Sequence, residues 1–118
     1  MSTPYVSFCE EIVERDHRFV AVLFKLNNAL IVFFYEGESI KLGTLAVAMP
    51  QFEGRTCISS ILLGERNVVL TKILAERLSN ASNGIALVST HLPEIQETGT
   101  SAALFKLTQK LLDKSSLK

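Results

Sequence analysis

At 118 residues, with 47% apolar and 20% charged side chains, the chain is long enough for one domain with its own core and too apolar to be disordered. Twelve Lys and Arg balance twelve Asp and Glu with no run of five like charges, so neither nucleic acid nor an anionic membrane has a footprint in the sequence. A net charge near zero favours association over colloidal repulsion.

The first half has the period of strands. Tyr5 to Val13 alternates loosely and reads as an edge strand or as irregular chain. Phe19 to Leu26 and Ala29 to Tyr35 are dense runs of Val, Phe, Ile and Leu. Asn27-Asn28 between them predicts a two-residue hairpin of type I′, because Asn tolerates positive φ. After a turn at Glu36-Gly37-Glu38, Thr44 to Met49 forms a strand with Leu45, Val47 and Met49 on one side. Ala46 and Ala48 leave its other side flat. Pro50 and Gly54 end it, and Thr56 to Leu62 is the next strand, closed by Gly64.

The period then changes to 3.6. From Glu65 to about Asn80, Leu70, Ile73, Leu74 and Leu78 form one stripe, with Glu76 and Arg77 toward water. Asn83-Gly84 breaks this helix, and Ile85 to Leu92 is the last strand. Pro93 and Gly99 punctuate a loop. Thr100 or Ser101 then caps a final helix carrying Leu104, Phe105, Thr108, Leu111 and Leu112. The expected fold is α+β: a mainly antiparallel sheet of five or six strands with two helices in the second half, its second face packing on a partner. No linker, repeat or low-complexity tract divides the chain, so residues 1–118 read as a single domain.

Several chemistries lack the residues they need. Cys9 and Cys57 stand far apart, which suggests reduced, buried thiols in the cytosol or nucleus. His17 and His91 lie near neither each other nor a cysteine, so no metal site is expected. The amino terminus has no basic and apolar signal pattern, and the longest apolar run, Phe19 to Phe24, is far shorter than a membrane span. The expectation is a soluble intracellular protein, on which the Asn80-Ala81-Ser82 sequon is incidental.

Ser89-Thr90-His91 places a hydroxyl and an imidazole on one strand face without an acidic orienter. Glu10, Glu11 and Glu14 read as a charged edge strand, and their charge disfavours a Cys9 thiolate. The glycines stand singly, so no phosphate-cradling loop is present. Neither enzyme activity nor a cofactor is expected. A small hydrolase or thiol enzyme would require Ser89, His91 or Cys57 to lie in a cleft.

What the sequence does contain is too much apolar strand. Closing the hairpin at Asn27-Asn28 puts Val20, Val22, Phe24, Leu26, Ala29, Ile31, Phe33 and Tyr35 on one face. Phe19, Ala21, Leu23, Leu30, Val32 and Phe34 fall on the other, rimmed by Lys25 and Glu36. Antiparallel sheets commonly keep one face wet, and two helices sharing one face would leave the second bare. A dimer that covers it is therefore expected; the alternatives are a sheet that curls on itself or one helix on each face. An apolar centre within a charged rim selects Phe19, Ala21, Leu23, Leu30, Val32 and Phe34 as the candidate dimer interface. The opposite face is then expected beneath the helices.

Four segments carry a family resemblance. Leu45-Ala46-Val47-Ala48-Met49, Leu62-Leu63-Gly64, Leu74-Ala75-Glu76-Arg77-Leu78 and Ile85-Ala86-Leu87-Val88-Ser89 resemble the proteasome assembly chaperone 4 family in order and spacing, over roughly residues 42 to 92. The resemblance implies a non-enzymatic chaperone that pairs with proteasome assembly chaperone 3 and holds α-type subunits of the 20S proteasome while their ring assembles. It implies no catalytic motif, and it leaves open whether an isolated chain stays single or forms a homodimer. The alternative reading is a dimeric scaffold of roadblock or longin type serving trafficking or signalling complexes. Those folds place a long helix between early and later strands, whereas here both helices fall in the second half.

Overall fold

A computed structural model describes residues 6–14, 16–50, 58–92 and 98–115. Its elements run β1 (Val6–Glu14), β2 (His17–Lys25), β3 (Ala29–Glu36), β4 (Thr44–Met49), β5 (Ile58–Leu63), α1 (Val68–Ser82), β6 (Ile85–His91) and α2 (Thr98–Lys114). The six strands form one sheet in the order β1-β2-β3-β6-β4-β5. The fold is α+β with both helices in the second half, as the periodicity predicts. The sheet, however, is mixed: β6 enters between β3 and β4, parallel to β3 and antiparallel to β4. A returning strand preceded by a helix can add in this way, since a parallel neighbour needs a long crossover rather than a hairpin.

The β2–β3 register follows the expected hairpin, with Val22 opposite Phe33, Leu23 opposite Val32 and Lys25 opposite Leu30. Leu26 N donates to Ala29 O at 2.8 Å, so the loop has two residues. It is not type I′, which requires positive φ at both central positions: neither Asn27 nor Asn28 has it. Positive φ falls instead at Asp16 between β1 and β2, and at Asn67 and Asn83, which flank α1.

Both helices lie on one face of the sheet. α1 packs chiefly on β4 and β6, and α2 on β1 and β2. Leu74, Ala75 and Leu78 of α1 and Leu104, Leu107 and Leu111 of α2 are fully buried against the sheet. Ile73, expected in the α1 stripe, is exposed; Thr71 and Ala75 take the buried positions. Thr71 is tied down at both sides, its hydroxyl 2.7 Å from Asn67 O and 2.7 Å from the Thr90 hydroxyl. α2 begins before Thr100 and Ser101, which lie inside the helix rather than at its cap.

The core beneath the helices corrects the expected interface. Phe19, Ala21, Leu23, Leu30, Val32 and Phe34 all belong to the chain's own core, with Leu23, Val32 and Phe34 at 0% exposure. The physical reason lies in the neighbouring strands. Register pairs Leu30 with Ala86 and Val32 with Val88, and these in turn with Ala48 and Ala46. Three alanines on this face let the backbone of α1 approach the sheet closely. Lys25 and Glu36 mark the rim of the chain's own core; Glu36 Oε2 lies 2.5 Å from His17 Nδ1.

Candidate partner interface

Among the described residues, the face away from the helices is the one without cover. Val22, Phe24, Ile31, Phe33, Leu45, Val47, Ile85 and Leu87 are only partly buried there, and Met49, Ile58 and Leu63 extend it as exposed residues. Each occupies its face by register: Phe33 stands opposite Val22 and next to Ser89 in the parallel ladder, and Val47 stands opposite Leu87 and Ser60. Phe24 and Phe33 meet edge to face at 6.1 Å, which fixes two large rings on the surface. This contiguous apolar face crosses five strands, β2, β3, β6, β4 and β5, and extended apolar faces of this kind mark interaction sites.

Its polar groups gather at one end. Arg18 reaches diagonally to Glu11, and Tyr35 lies beside them, so the three close over Val20, which is 2% exposed. The Glu11 hydrogen bond and charge hold the Arg18 guanidinium above its ordinary value. Burial raises the Tyr35 phenol above its usual value; Cys9 and Glu11 act the same way and Arg18 opposes them. Cys9, expected to be buried, is exposed, because its position opposite Val22 puts it on the uncovered face. Cys57 lies outside the described residues.

The hydroxyl and imidazole of the last strand are drawn apart by their roles. Ser89, 1% exposed, accepts a hydrogen bond at Oγ from Gly43 N at 2.9 Å. That bond pins the β3–β4 loop across the end of β6, where a Cβ on Gly43 would fall 2.0 Å from Thr90 O. His91 is exposed at the strand end, and Thr90 faces the helices, bonded to Thr71. A cleft of about 620 Å³ lies alongside, between Leu42, Leu63, Arg66 and His91. Among the described residues no three His, Cys, Asp or Glu side chains cluster to hold a metal, and no helix is long and apolar enough to cross a membrane.

The arrangement therefore offers a binding surface with an apolar centre and polar groups at one end. Residue size was the signal that could have identified it: β4 puts Leu45, Val47 and Met49 on this side and its alanines on the other.

The fold has a counterpart among solved structures. The chain superposes on a chain from the crystal structure of a novel chaperone complex for yeast 20S proteasome assembly with a TM-score of 0.69, covering 98% of this chain and 100% of that one. At 14% identity the likeness is one of fold. No family model matches the sequence, and no curated protein does.

Proposed function

We propose that this chain is a non-enzymatic chaperone of 20S proteasome assembly, working in the cytosol or nucleus. It pairs through its uncovered sheet face with a second small chaperone of the proteasome assembly chaperone 3 type. The pair holds α-type subunits while their ring forms. The observation that carries the proposal is the bare apolar sheet face, on a fold found also in a chain of a proteasome assembly chaperone complex. Covering that face removes apolar area from water, which is the main driving force of stable association. Placement of both helices after β5 favours this reading over a roadblock or longin scaffold. Isolated, the chain would cover the same face with a second copy.

Affinity capture from cell extract, read by mass spectrometry, tests the proposal. Recovery of free α-type subunits and a second small chaperone, without mature proteasome, is the expected result. Recovery of small GTPases or trafficking factors alone overturns it. Because the function needs no nucleophile, His91→Ala with Cys57→Ala should leave capture unchanged.

A further inference from the structure

The two edges of the sheet are finished differently. β1 carries Glu10, Glu11 and Glu14, and α2 reaches over it: Lys114 Nζ donates to Cys9 O at 3.2 Å and lies 3.0 Å from Glu10, and Lys106 lies 3.3 Å from Glu14. Charges and a capped carbonyl are how natural sheets blunt an edge. β5 has neither. Its six residues, Ile58-Ser59-Ser60-Ile61-Leu62-Leu63, include no charge and no proline, and Ile58, Leu62 and Leu63 are exposed. A register shift where Leu45 and Ala46 meet β5 leaves Leu62 as a bulge residue, an edge-blunting feature confined to the end of the strand; Ile58 to Ile61 keep regular register.

The helix layer above this edge is bare in the same way. Ser59 donates its hydroxyl to Glu76, so the flank of α1 bearing Glu76 faces over β5. Val69 and Ile73, seven and three residues before Glu76, share that flank and are exposed, Val69 at 67%. The uncharged ladder edge and the helix flank thus form one angled surface, with apolar side chains in both layers.

We infer that the β5 edge and the Val69–Ile73 flank of α1 form a second docking surface, which takes an extended, uncharged strand of a client protein by edge pairing. Identifying the client as an α-type subunit rests on the chaperone reading above. An added strand would continue the β5 ladder, placing alternate side chains beside Ile58 on the open face and under Ile73 on the other. Charge on that strand would find no counter-charge on β5. A second copy of this chain fits poorly. α1 is centred over β6 and β4, so joining two β5 edges would leave the two α1 axes about four strand spacings apart, ~19 Å, against roughly 8–10 Å for packed helices. Val69 and Ile73 would stay wet. A client strand followed by its own covering layer fills that gap.

Hydrogen exchange on the full chain tests this, with purified α-type subunits as one probe and the capped peptide Thr-Val-Thr-Val-Thr-Val as another. Both should slow exchange at β5 and leave β1 unchanged. Leu62→Lys, at an exposed position outside the partner face that leaves the core intact, should weaken both by at least about tenfold while retaining the paired chaperone. Ile73→Gln should weaken α-type subunit binding from the helix side. Subunit binding with β5 exchange unchanged, or undiminished in the lysine variant, overturns the inference and leaves the chaperone reading standing. If no α-type subunit binds, that reading fails and the peptide decides alone: protection confined to β5 supports the docking surface, and none, or equal protection at β1, overturns it. Concentration-dependent protection of β5 in the chain alone would assign the edge to a second copy and overturn the client strand.

Discussion

The two faces of this sheet are almost equally apolar, yet one is a core and the other a surface. Between β2 and β3 the difference is invisible: Leu23 and Val32 face the helices, Val22 and Phe33 face away, and either pair would pack well. The decision is made two strands further on. Ala46, Ala48 and Ala86 leave room for a helix, whereas Leu45, Val47 and Leu87 on the reverse side stand too tall for one to settle closely. Apolarity thus says that a face will be covered, and side-chain size says whether the chain's own helix or another molecule covers it.

Charge placed in each face breaks the comparison most severely. Leu23→Asp or Val32→Asp buries an unpaired carboxylate beneath α2 or α1 and should cost more than about 4 kcal/mol, enough to unfold a marginal domain. Val22→Asp or Phe33→Asp leaves its carboxylate in water in the free chain. Circular dichroism should show a folded protein, while analytical ultracentrifugation should show association lost. Unfolding by the second pair, or survival of the first, would mean the faces are assigned the wrong way round.

Size probes the same contrast more gently. Ala48→Leu pushes a branched side chain under α1 opposite Ala86 and should cost about 1–3 kcal/mol in denaturant melts. Val47→Leu, its neighbour on the open face, should stay within about 0.5 kcal/mol. Equal costs would imply that the open face is packed as tightly as the core.

Much of this was legible along the chain. The hairpin register, the bounds of β4 and the membership of both β2–β3 faces follow from alternation and a two-residue loop. Alternation leaves open whether both helices share one face or each covers its own, and their packing on the sheet decides it. What local pattern could not supply was the entry of β6 between β3 and β4, because strand order is decided by contacts between segments some fifty residues apart. Without that insertion, Ala86 and the two β4 alanines cannot be placed on the face of Leu23 and Val32, and the choice of face fell to the charged rim. Lys25 and Glu36 pointed the wrong way because a core reaching the end of a sheet has a polar rim as well.

Smaller effects come from the polar groups of the open face. Ser89→Ala removes the acceptor for Gly43 N and should cost about 1–2 kcal/mol, loosening the β3–β4 loop. Amide exchange at Gly43 should rise while α1 and α2 keep their protection. A rise spread over the whole chain would show that the loop is not separable from the core.

Tyr35 gives the mildest test, and it reads the open face directly. Its phenol is raised above 10.0, first by burial, so the folded chain holds that proton longer than the unfolded chain does. The resulting contribution to stability is complete below the unfolded value and is lost as pH rises through the folded one. In a Tyr5→Phe variant the remaining phenol is Tyr35, so phenolate absorbance follows it alone and should titrate above the ordinary tyrosine value. Binding a partner on the open face removes the last water from Tyr35, which is 8% exposed, and should move the titration further up. A partner bound instead across the helices would leave the phenol where it was, because Tyr35 faces the other side of the sheet. A titration unmoved by a bound partner would therefore place the interface elsewhere and break the assignment of the two faces.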